Sequence, residues 1–186
     1  RKGIESEDVN VIRDVAFLPI LLAQKAIEKR DHLIFQEFIH FPSALYERAF
    51  ELDKEGKARI SKIMFDRTWR YLKELVDFHL EPKLRHEDYP IDDFKHYAVH
   101  VLKVFQNLLK SSFDKSDLPN FEKFLETANE LFDQAERLHL DEEDPKSAAY
   151  EYIDTKRQEM FFGIAAWILF TMKSSTTTSE ALPFLN

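Results

Sequence analysis

The sequence predicts an all-α fold of about six helices, arranged as two pseudo-repeated three-helix halves in a helical bundle or a short α-solenoid. Three observations lead there. Apolar residues recur at helical spacing, and no convincing stretch alternates apolar and polar residues as a strand would. Glycine occurs only at Gly3, Gly56 and Gly163, too sparsely for a fold built on tight hairpin turns. A pattern of apolar positions from Val11 to Leu52 also returns from Tyr97 to Leu138, at a constant offset that takes Asp31 onto Asp117.

The echo pairs Val15 with Val101, Leu18 with Val104, Leu22 with Leu108 and Ile27 with Phe113. Beyond the aspartates it pairs Phe35 with Phe121, Ile39 with Leu125, Leu45 with Leu131 and Tyr46 with Phe132. A shared register across two helices and a shared capping position point to a duplicated supersecondary unit. Pro19 faces Phe105 and Pro42 faces Ala128, so the copies are expected to differ locally. The layout resembles helical-repeat scaffolds in outline, without the signature residues of tetratricopeptide or ankyrin repeats. That resemblance bears on architecture and names no partner.

The first helix is expected from about Glu7 to Lys29, kinked or split at Pro19, because proline removes a donor and crowds the preceding turn. Asp31 is the expected N-cap of the second, which runs to about Leu52 with a disturbance at Pro42. After a turn at Gly56, a third helix spans about Lys57 to Leu80 and should stop at Pro82. A polar linker, Lys83 to Ile91, divides the halves, about 7–82 and 92–172. Asp92 or Asp93 opens the fourth helix, whose apolar face includes Phe94, Tyr97, Val101, Phe105 and Leu108. Asp117 should cap the fifth, with Pro119 harmless in its first turn. An acidic loop from Asp141 to Asp144 precedes the sixth, about Lys146 to Met172, whose run from Met160 to Met172 reads as a buried helix. Residues 1–172 thus form one domain, and the Ser- and Thr-rich stretch 173–186 reads as a disordered or linker tail.

Composition narrows function mainly by exclusion. A net charge of −8 disfavours attraction to nucleic acid or an anionic membrane surface. Without cysteine there is no disulfide, thiolate nucleophile or thiolate metal site, which fits a reducing compartment. The scarce glycines exclude phosphate-cradling loops. No apolar run reaches the ~20 residues of a membrane-spanning helix. Beginning at Arg1 rather than Met suggests a processed chain or a fragment, and leaves room for a span outside it.

Several side-chain groupings invite chemistry. Glu37 with His40, and Glu136 with His139, are Glu-x-x-His pairs that project from one helix face, a ligand type suited to iron, manganese or zinc. His96 and His100 stand one turn apart, a spacing at which two imidazoles share an ion. The Glu-x-x-His pairs fall at unmatched places in the echo, so a symmetric dimetal centre is not favoured. Arg59, Lys62, Arg70 and Lys73 make the third helix basic and form a candidate interaction surface, with Trp69 as a core anchor. The aromatic stripe Phe35, Phe38, Phe41, Tyr46 and Phe50 is expected in the core.

The expectation is therefore a noncatalytic helical protein-interaction or regulatory module, part of a larger protein, with no cofactor. It would bind a protein partner or self-associate, in the cytoplasm or at the cytosolic face of a membrane. The main alternative is a metal-dependent helical-bundle enzyme using iron, manganese or zinc. Further alternatives are a cytosolic domain of a membrane protein and a sensor of an apolar ligand.

Overall fold

The computed structural model describes residues 15, 17–52, 68–84, 89–114, 117–132 and 145–174, and among these the fold is all-α. The helices are α1 (Leu18–Lys29), α2 (His32–Ile39), α3 (Phe41–Leu52), α4 (68–84), α5 (Ile91–Asp114), α6 (Leu118–Glu130) and α7 (Pro145–Ser174). None of the described helices is long and apolar enough to cross a membrane. The chain divides into two compact units, residues 1–104 and 105–186, and the division falls within α5.

Local chemistry explains most helix ends. Pro19 occupies the first turn of α1, where its missing N–H costs nothing. Arg30 ends α1 in a left-handed conformation (φ 55°), and the Asp31 N–H returns to the Ala26 carbonyl at 2.9 Å. The Asp31 carboxylate then accepts from the Ile34 N–H at 3.0 Å and opens α2, as its residue type predicts. Asp117 does the same for α6, accepting from the Asn120 N–H at 3.4 Å. Around Pro42 the helix is interrupted: α2 ends at Ile39 and α3 begins at Phe41.

Pro82 does not stop its helix. Residues 68–74 are α-helical, Leu75–Leu80 form a π-helix, and Glu81–Leu84 add a last α-helical turn that contains Pro82. The wider π turn, with the Glu81 N–H reaching the Val76 carbonyl, gives the proline ring space that a regular helix would deny.

In the first unit, Ile20, Ala23 and Ile27 of α1, Phe35 and Ile39 of α2, and Leu72, Leu75 and Val76 of α4 are buried. Phe94, Tyr97, Ala98 and Val101 of α5 complete that core. In the second unit, Phe105 meets Phe124 edge-on at 6.2 Å, and Phe113 meets Trp167 at 5.1 Å. Ile153, Met160, Ile164 and Ile168 are the inward residues of α7.

The matched positions of the echo do not share one burial pattern. Phe35 and Phe121, Leu45 and Leu131, and Tyr46 and Phe132 are buried in both copies. Leu18, Leu22 and Leu125 are exposed although their counterparts are buried. The sixth predicted helix also departs from expectation. Phe162, Leu169 and Phe170 stand 75%, 49% and 72% exposed, while Met160, Ile164 and Ile168 of the same stretch are buried.

Buried and exposed rings should respond differently to truncation. In chemical denaturation, Phe124→Ala is expected to cost about 3–5 kcal/mol. Phe162→Ala should stay within about 0.5 kcal/mol of the unaltered chain, and Asp117→Ala should cost ~1 kcal/mol through the lost cap.

Candidate functional site

Two places concentrate candidate side chains, one in each unit. The first is a run of four histidines at the contact of α2 and α5. Phe35 of α2 lies edge-on to Tyr97 of α5 at 4.6 Å, and this aromatic contact fixes the two helices. His32 opens α2 and His40 follows its last residue, while His96 and His100 share one face of α5.

The rings form a continuous chain. Asp93 Oδ1 lies 2.9 Å from His32 Nε2. The His32 ring stacks on His96 at 4.6 Å with an interplanar angle of 18°. His96 meets His100 at 4.7 Å, and His40 Nε2 is 3.0 Å from His100 Nδ1. That last contact is a hydrogen bond in which one neutral ring donates and the other accepts. Ser43 Oγ donates to the His40 carbonyl at 2.9 Å and steadies the turn that aims the His40 ring.

This setting opposes charge on three of the imidazoles, His40, His96 and His100. Burial lowers the His40 pKa, and the nearby Lys103 cation lowers it further. Burial also lowers His96, with His32 adding to the effect and Asp93 opposing it. His100 is pushed down to about 4, first by burial and then by His96, His40 and Lys103. His96 Nε2 is buried without a hydrogen-bond partner. Burial and the Asp93 and Asp31 carboxylates raise Tyr97 to about 12, so its phenol stays neutral.

Within the histidine chain, burial disfavours charge on His40, His96 and His100. The only ring-nitrogen partners there, among the described residues, are Asp93 for His32 and the His40–His100 pair. Among the described residues, no group of three or more His, Asp or Glu side chains is placed to hold a metal ion. Glu37 is exposed on α2, and its expected partner His40 turns to His100 instead. Glu136 and His139 lie outside the described residues, as do Arg59 and Lys62. Arg70 stands 3.9 Å from Glu74 and Lys73 3.5 Å from Asp77, so these two candidate surface cations have acidic neighbours on their own helix.

The second place is an apolar groove of about 480 Å³ between α6 and α7. Phe121, Leu125, Phe161, Ala165 and Ile168 line it, with Glu126 and Asn129 among its walls. Its frame is held at the end of α6, where the Arg157 guanidinium donates to the Asn129 carbonyl at 2.6 Å and the Leu131 carbonyl at 3.1 Å. Asp154 accepts from the same guanidinium at 2.5 Å and holds it in place. A cation at the carbonyl end of a helix also complements the helix dipole. On α7 the groove residues Phe161, Ala165 and Ile168 recur at helical spacing and share one face.

Spacing alone flagged His96 and His100, because their pairing lies within one helix. It missed His32 and Asp93, which meet only when α2 packs on α5. The groove was hidden in the run from Met160 to Met172, where composition marks apolar residues but not which side lacks cover. No family model, curated protein or solved structure matches this chain.

The histidine chain makes stability pH-dependent with a definite sign. The unfolded chain binds protons near pH 6.5 at rings the fold keeps neutral, so stability holds above that pH and falls toward pH 4. Discounted for partial exposure, the loss through His100 is roughly 1–2 kcal/mol, or about 2–8 °C in Tm. Thermal melts of the full chain and His100→Gln at neutral and acid pH check this: the variant should show the shallower slope, and equal slopes would contradict it.

Proposed function

We propose that this chain is a noncatalytic helical protein-interaction module, engaging a partner helix through the groove between α6 and α7. The observation that carries this reading is the apolar groove between α6 and α7, of about 480 Å³. Phe161, Ala165 and Ile168 fall on one side of α7 and face Phe121 and Leu125 of α6 across the groove. An open apolar groove of this kind favours a binding role, since apolar surface gains nothing from water. Grooves between two helices accept a third helix by its apolar stripe.

The same reading takes the two halves as diverged copies of one helical unit, supported by the matching caps at Asp31 and Asp117. The cysteine-free sequence fits a cytoplasmic or cytosolic-face location. The histidine chain then serves as a structural seam in the first unit.

A labelled amphipathic peptide of about three helical turns, with Leu and Phe on one face and uncharged flanks, tests the groove by fluorescence anisotropy. The full chain should bind it with a Kd in the micromolar range typical of modest interfaces, and Leu125→Glu should weaken binding at least about tenfold. No binding, or equal binding by Leu125→Glu, would overturn the reading.

A further inference from the structure

The acid–base balance around the groove is uneven. Glu126 is part of its wall, and Glu122 stands one turn earlier on α6; both are exposed. Neither forms an ion pair with any described residue. The nearby cations of α7 are already committed: Lys156 Nζ is 2.8 Å from Glu159, and Arg157 holds Asp154 and two carbonyls of the α6 end. The apolar floor is thus bordered on its α6 side by two carboxylates that, among the described residues, have no ion-pair partner.

We propose that the partner of this groove is a basic amphipathic helix, whose apolar stripe fills the space between α6 and α7 and whose Lys or Arg residues meet Glu122 and Glu126. The inference rests on the groove being a protein-binding surface and adds the charge of its occupant. Exposed carboxylates beside an apolar floor reward a cation that arrives with the helix and repel an acidic one. A second copy of this chain fits less well. Each copy carries a net charge of −8, and a face-to-face contact would bring two acidic borders together. Long basic side chains suit the edge position, because their methylene stems cover apolar surface while the charged ends stay in water. Residues from Phe121 to Asn129 present about two turns of α6, so the partner stretch should be about three turns long.

Three labelled peptides with one apolar face and Lys, Gln or Glu flanks are titrated against the full chain. The Lys-flanked peptide should bind about three- to tenfold more tightly than the Gln-flanked one, and the Glu-flanked peptide more weakly by a similar factor. The difference should shrink between about 50 mM and about 500 mM salt, as screening shortens the reach of surface charges. In a chain carrying both Glu122→Gln and Glu126→Gln, the Lys and Gln peptides should bind alike, with Tm unchanged within a few degrees. Equal binding of all three peptides, weakened by Leu125→Glu, would overturn the charge assignment and leave the groove reading standing. A preference that survives the double substitution would overturn it too. Failure of every peptide to bind would remove both readings. Concentration-dependent dimerisation abolished by Leu125→Glu would assign the groove to a second copy, and displacement of the Lys peptide by zwitterionic lipid vesicles would assign it to a lipid surface.

Discussion

The inward stripe of α5 is the constraint on which the rest of the structure depends. Phe94, Tyr97, Ala98, Val101, Leu102, Phe105, Leu108 and Leu109 are all buried along that one helix. No other described helix contributes residues to both compact units. The first part of the stripe holds α2 through the Tyr97–Phe35 contact, and the later part holds α6 through Phe105 and Phe124. Large rings dominate these contacts, and each buries enough area to offset much of the entropy lost in ordering a helical turn.

The two functional candidates follow from what α5 leaves over. On its flank in the first unit, His96 and His100 meet His32 and His40, and the packing withholds water that would stabilise imidazolium. His40, His96 and His100 are thereby held toward the neutral form, and the stability they lend belongs to the pH range above ordinary histidine titration. In the second unit, Met160, Ile164 and Ile168 are the buried side of α7, and Phe121, Leu125, Phe161 and Ala165 line an open groove beside Ile168. One seam consumes polar groups inside the fold, while the other face offers apolar area outside it. The proposed recognition site is the second.

Local features were legible in the sequence and nonlocal ones were not. The Asp31 and Asp117 caps, the break near Pro42 and the buried face of α5 depend on residues a few positions apart, so residue type and spacing announce them. Pro82 misled because its effect depends on the preceding turn, and a π-helix there makes room for it. Arg70 and Lys73 read as a basic surface, although Glu74 and Asp77 already stand one turn further along the same helix. The meeting of His32 with Asp93, and the one-sided exposure of α7, depend on how helices pack. Periodicity marks which residues are apolar without naming what covers them.

Amide hydrogen exchange on the intact chain, with and without the Lys-flanked helical peptide, addresses the whole account most directly. Amides of α5 from Tyr97 to Leu109 should exchange slowest in either condition, as the element both units share. Added protection with peptide should be confined to α6 from Phe121 to Asn129 and to the exposed stretch of α7 from Phe161 to Phe170. Rapid exchange along α5, or peptide-induced protection centred on the histidine seam of the first unit, would contradict it.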